Sequence, residues 1–174
     1  AGARDRITRL RNALRDGDIG NQDIVLIECP PSLNMLTVNA LVAADSVLVP
    51  LQCEFFALEG ITQLLRTVSE IRQSSNKNLI TQGIVLTMYD QRNNLTSDVE
   101  ADVRENLGEL VFRTVIPRNV RLSEAPSHGI PARTYDPRST GSPASMALAK
   151  ELRKRVRARQ TACGRTEGSQ DRAP

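Results

Sequence analysis

The 174-residue chain predicts an α/β fold, a doubly wound and mostly parallel sheet with helices on both faces. Apolar runs of strand length alternate with stretches in which apolar residues recur every three or four positions. The runs, "DIVLIE", "SVLVPL", "GIVLTMY" and "LVFRTVI", are apolar on successive residues, as in strands covered on both faces. Forty per cent apolar residues without a single Trp suit an aliphatic core and argue against a chain that is disordered throughout.

Taken in order, Ile7, Leu10 and Leu14 predict a short amphipathic helix, and "DIVLIE" a strand that ends at Glu28 before Pro30 and Pro31. Residues 36–44 predict a helix and "SVLVPL" a second strand. Leu58, Ile61, Leu64, Leu65, Val68 and Ile71 follow the 3.6-residue period and predict the longest helix. "GIVLTMY" is a third strand, Val99, Val103 and Leu107 mark a further helix, and "LVFRTVI" is a fourth strand stopped by Pro117. Leu148, Leu152 and Val156 give a last helix, placing the body at residues 1–157 and a basic tail of disordered composition at 158–174.

The net charge of +3 is concentrated at that end: eight Lys/Arg against three Asp/Glu from Lys150 onward, fifteen against seventeen before it. Such a tail is commonly a solvated terminus, with attraction to nucleic acid the sharper alternative. Cys29, Cys53 and Cys163 form neither a disulfide framework nor a C-x-x-C pair, which suits a reduced, cytosolic protein. His128 is the single histidine, so Ser-His-Asp chemistry and His-based metal sites find little support, and packing is its expected role. No apolar run approaches the roughly 18 residues of a membrane span, and the N-terminus lacks a signal-peptide core. The chain starts at Ala1 without Met, as a fragment or a processed chain would.

In parallel sheets function collects at the carboxyl ends of the strands. Those ends are "ECPPSLN", "PLQCEFF", "TMYDQRNN" and "IPRNVRLSEAPSHG". Taken alone, Glu28 caps a turn, Pro117 and Asn119 shape one, and Arg92 and Arg121 are solvated cations. Asp45 and Asp136 sit in turn contexts, and Cys29 beside Glu28 reads as an inert thiol.

The stretches "ECPPSLNMLTVNALVAADSVLVPLQCEFFALEG", "GIVLTMYDQRNNL" and "TVIPRNVRLSEAPSHGIPARTYDPRSTGS" resemble the ParA (Soj-like) family of chromosome and plasmid partitioning ATPases, over about residues 7–155. The resemblance implies a P-loop NTPase-like fold of the deviant Walker A class. It covers the C-terminal part: the family's K-G-G-x-G-K-T phosphate loop is not in this sequence, so the first strands are expected to be missing with it. It further implies the cofactors ATP and magnesium, a homodimer in the complete protein, non-specific DNA binding, a ParB-type partner, a cytoplasmic, nucleoid-associated location and no membrane attachment. A MinD-like membrane regulator would need a C-terminal helix with a broad apolar face, which "RKRVRARQTACGRTEG" lacks.

Carried over residue by residue, Glu28 takes the Walker B-like catalytic position and orients water on the magnesium, although the family usually has the shorter Asp there. Met88, Pro117, Arg118 and Asn119 are candidates for the adenine pocket, and Arg92 and Arg121 for contacts with DNA phosphates. Without the phosphate loop the chain alone is expected not to hydrolyse ATP, and "DIVLIE" is expected to lie at an unpaired edge prone to self-association. The alternative is a non-catalytic interaction module that pairs with a complete ParA and modulates it.

Overall fold

The computed structural model describes residues 6–17, 22–30, 32 and 34–167, with side chains through residue 159. Pro31 and the last part of the tail, 168–174, lie outside the described residues. The element order is α1 (Arg9–Asp16), α2 (Met35–Ala43), β1 (Ser46–Gln52), α3 (Ala57–Ser74), β2 (Ile80–Thr87), α4 (Asn94–Leu107), α5 (Val120–Glu124), α6 (Ala132–Tyr135) and α7 (Gly141–Glu167). β1 and β2 are hydrogen-bonded neighbours joined through α3, and the sheet is parallel, the expected outcome of a helical crossover.

The chain divides into two compact units. The first holds residues 1–48 and 59–81. In it Leu41 and Val42 of α2 pack with Val68 and Ile71 of α3 and with Leu79, while Ile7 and Leu64 flank the cluster. α2 starts where Asn34 accepts hydrogen bonds from Leu36 N at 2.9 Å and Thr37 N at 3.2 Å, satisfying two of the orphan donors of the first turn. Its other end is sealed by Asn76, whose side-chain amide donates to the carbonyls of Leu41 (3.0 Å) and Ala44 (2.8 Å).

The expected strand "DIVLIE" does not form. Residues 22–30 follow an irregular, exposed path in which Leu26 is 83% and Ile24 61% accessible. A strand has no hydrogen bonds of its own and exists only through its neighbours, and the described residues supply none to this segment.

The second unit holds residues 49–58 and 82–174. Its core joins Cys53 and Ala57 to Leu86 of β2, Val99 and Val103 of α4, and Val111. α4 is capped by Asn93, whose side chain accepts from Leu95 N at 3.1 Å. The fourth expected strand is reduced to two isolated parallel bridges, Ile84 with Val111 and Tyr89 with Pro117. Between them the amides of Arg113 and Thr114 turn away and donate to the Glu151 carboxylate at 2.9 and 3.0 Å, so α7 takes two donors that a ladder would have used. α7 itself continues to Glu167, past residue 157, and at 27 residues it, rather than the 18-residue α3, is the longest helix among the described residues.

Candidate functional site

β2 runs out at Thr87 into Met88, whose φ of 53° is the one positive value outside glycine among the described residues. Beyond it the chain stays in register with 111–117: Ile116 N donates to Leu86 O at 2.8 Å, Tyr89 N to Ile116 O at 3.1 Å, and Arg118 N to Tyr89 O at 2.9 Å. Two polar loops therefore leave the sheet side by side at its carboxyl end. Sidelong from them, the end of β1 closes a pocket of about 200 Å³. Gln52, Cys53, Glu54 and Phe55 line it from the end of β1, Met88, Asp90, Asn93, Leu95 and Thr96 from the loop after β2 and the start of α4, and Arg118 from the neighbouring loop. Phe55 is 75% exposed and meets Phe56 edge to face, with centroids 5.1 Å apart.

A chain of polar contacts ties Tyr89, which sits between the lining residues Met88 and Asp90, to α4. Tyr89 bonds the Glu100 carboxylate, Glu100 accepts from Arg104 Nε at 2.7 Å, and Arg104 donates to the Phe112 carbonyl at 3.1 Å. Burial pushes Glu100 upward, but the bonds from Tyr89 and Arg104 outweigh it and leave its carboxyl below the ordinary range. The hydrogen bond to Glu100 raises the Tyr89 phenol. The Cys53 thiol is pushed up to about 11, chiefly by burial and further by the nearby Glu100 charge, so it is neutral and a poor nucleophile.

Of the four base-site candidates, Met88 and Arg118 line this pocket and Pro117 adjoins it through its bridge to Tyr89. Asn119 is committed locally: its oxygen caps α5 by accepting from Arg121 N at 2.8 Å, and its amide donates to Thr140 Oγ1 at 2.8 Å. Arg92 is 89% exposed and forks onto Asp90, with both bonds at 3.1 Å. That fork and the Arg92 amide hold the Asp90 carboxyl below its usual range. Arg121 is shared between Glu124 at 2.8 Å and Asp136 at 3.5 Å. Glu28 stands exposed on the irregular segment of the first unit, next to Cys29, whose thiol is raised by burial and by the Glu28 charge.

The wall from β1 was not among the sequence candidates, although "PLQCEFF" stood out as a polar strand end. His128 stacks on Tyr135 with centroids 4.8 Å apart, the packing role expected of it. Asp136 binds the amides of Arg138 and Ser139, both at 3.1 Å, as its turn context suggested. Among the described residues no group of three or more His, Cys, Asp or Glu is placed to hold a metal ion, and no helix is long and apolar enough to cross a membrane.

A parallel sheet with a helical crossover and with polar loops converging at its carboxyl end defines an α/β protein of the P-loop NTPase type. Its structure is similar to that of the cell division ATPase MinD from Pyrococcus furiosus, with a TM-score of 0.69 and 25% identity, over 85% of this chain and 58% of that one. It also resembles cobyrinic acid a,c-diamide synthase from Mycobacterium smegmatis, crystallised with bound ADP and magnesium: TM-score 0.59, 44% identity, 67% of this chain and 47% of that one. Residues 2–81 match the profile of a family described as an AAA domain. The chromosome partitioning protein ParA of Caulobacter vibrioides is 57% identical over 156 residues, 89% of this chain and 58% of that protein. Over that shared stretch the chain belongs to the ParA family of partitioning proteins. It spans little more than half the length of that relative.

Proposed function

We propose that the chain serves ATP-dependent DNA partition, and that the pocket between the β1 wall and Met88 and Arg118 holds the adenine of ATP. The observation that carries this reading is the meeting of Met88 and Arg118, 30 positions apart in the sequence, at one pocket on the carboxyl side of the sheet. Met88, Leu95 and Phe55 offer apolar surface to a ring, and Gln52, Asn93 and Thr96 offer donors and acceptors to its edge. At about 200 Å³ the pocket is smaller than the roughly 300–1,000 Å³ of whole ligand sites, which suits a base whose phosphates are held elsewhere. Pro117 and Asn119 flank Arg118 in the chain, Pro117 bridging to Tyr89 and Asn119 capping α5 rather than facing the base.

In this reading Glu28 orients water on a magnesium ion carried by the phosphates; one carboxylate is enough when substrate oxygens and waters complete the shell. The complete protein hydrolyses ATP as a homodimer, binds DNA without sequence preference in the cytoplasm at the nucleoid, and answers to a ParB-type partner. The chain alone does not turn ATP over, because phosphoryl transfer needs a cradle for the triphosphate.

The test is an ATPase assay with millimolar ATP and magnesium, on the chain alone and on the chain placed behind a phosphate-loop segment. The first should stay at background. The second should hydrolyse ATP, more slowly as Glu28→Ala and faster as Glu28→Asp, and equal rates for all three would make Glu28 structural. A second reading, a non-catalytic module that pairs with a complete ParA, draws on the exposed apolar stretch 24–27, which is suited to adding a strand to another chain. Stable complex formation with a complete ParA, without any ATPase activity of the loop-restored chain, would favour it.

A further inference from the structure

Two acids are among the residues that line the pocket, Glu54 and Asp90. Asp90 is held in place by backbone bonds: Tyr89 before it is bonded to Ile116 and Arg118, and its own carbonyl accepts from Asn93 N at 3.0 Å. Its carboxylate is already engaged by one neighbour. Oδ1 accepts from Arg92 N and Arg92 Nε, and Oδ2 from Arg92 Nη2, each at 3.1 Å. A carboxylate offers about four lone-pair sites, shared equally by its oxygens. Arg92 therefore fills Oδ1 and half of Oδ2, and a single acceptor site stays open. After these bonds, the charge of Arg118, which also lines the pocket, helps to keep the carboxyl ionised.

We propose that the fork between Arg92 and Asp90 sets the base preference of this pocket, so that it takes an adenine nucleotide and turns a guanine nucleotide away. The inference rests on the reading of the pocket as the base site and adds what selects the base. The two purines differ in the edge they present. Adenine shows one amino group beside a ring-nitrogen acceptor, so one open site on Asp90 is sufficient for it. Guanine shows two donors side by side, its ring N–H and its amino group, which call for both oxygens of a carboxylate. With Oδ1 filled, guanine either leaves a donor unbonded or displaces the guanidinium, exchanging bonds charged on both sides for bonds from a neutral ring. Arg92 is 89% exposed, so the fork adds little to stability, which suits a side chain whose task is to occupy acceptors.

The experiment titrates AMP and GMP, which share ribose and phosphate and differ in the base, into the full chain, with saturation-transfer NMR reporting affinity. The parent should bind AMP in preference to GMP. Arg92→Ala removes the fork and keeps the backbone bond, and should lower the ratio of AMP to GMP affinity about tenfold through a gain in GMP binding. Arg92→Lys should fall between, since an ammonium cannot fork, and adding Asp90→Asn to Arg92→Ala should abolish the gain. A loosened fold cannot produce tighter GMP binding, so the readout is separate from stability. An unchanged ratio in Arg92→Ala, or a parent that binds GMP as well as AMP, overturns the proposal. A gain that survives Asp90→Asn places the guanine acceptor at Glu54 and overturns it as well. The base-site reading fails separately if AMP binding persists undiminished in Met88→Ala with Arg118→Ala, and no AMP binding by the parent overturns both.

Discussion

The guanidinium of Arg155 lies over the ring of Phe112, 3.9 Å from its centroid, while its nitrogens bond three successive carbonyls at 109–111. Phe112 is fully buried, so this contact joins the last helix to the core of the second unit. Arg155→Ala should cost about 2–3 kcal/mol, through the lost cation–π contact and the lost charged hydrogen bonds. Arg155→Lys should cost less without restoring the parent value, since an ammonium cannot stack and fork at once. Denaturant midpoints of the three proteins, at unchanged m-value, check this.

Glu151 gives the same attachment a pH dependence. Burial pushes its carboxyl up, but bonds from Arg113 and Thr114 and the charge of Arg155 leave it below its ordinary value. A depressed folded-state pKa contributes stability that is present above the unfolded-state value near 4.5 and is lost as pH falls through the folded-state value. Thermal unfolding from pH 7 downward should therefore show a loss beginning below about pH 5 that is smaller in Glu151→Gln, which itself costs about 1–3 kcal/mol at pH 7.

Gly83 should tolerate no side chain. Its φ is +151°, and a Cβ there would sit 2.5 Å from Phe112 Cε2 and 2.7 Å from the Leu110 carbonyl oxygen. Gly83→Ala should destabilise by about 2–3 kcal/mol, read as a lowered melting temperature, because backbone and a packed ring must both move.

Alkylation should separate two thiols. Cys29 is exposed and Cys53 is buried with a pKa near 11. Iodoacetamide at pH 8, followed site by site by mass spectrometry, should modify Cys29 well before Cys53, and equal rates would contradict the packing of Cys53 against Leu86 and Val99.

The longer helices and the two paired strands are legible because their signals are local, whereas the short α5 and α6 have no periodic signal to read. The period from Leu58 to Ile71 becomes α3, and the apolar runs at 46–52 and 80–87 become β1 and β2. What failed depended on partners. "DIVLIE" has strand composition, but the described residues give it no neighbour to bond. "LVFRTVI" has a neighbour in β2 yet loses its middle to Glu151, 38 positions away from Arg113. The pocket was half legible: Met88 and Arg118 were placed through the family resemblance, whereas Gln52 and Phe55 join them only because β1 and β2 are adjacent. The carboxylates facing Arg92 and Arg121 follow from turn and helix geometry that sequence spacing alone does not reveal.

The central claim is that the pocket at Met88 and Arg118 holds the base of ATP. The most direct test is equilibrium titration of a fluorescent ATP analogue into the chain placed behind a phosphate-loop segment, for the parent and for Met88→Ala with Arg118→Ala. The account predicts affinity weaker by about tenfold, about 1.4 kcal/mol, with the far-ultraviolet circular dichroism unchanged. Equal affinity in a folded double variant would contradict it.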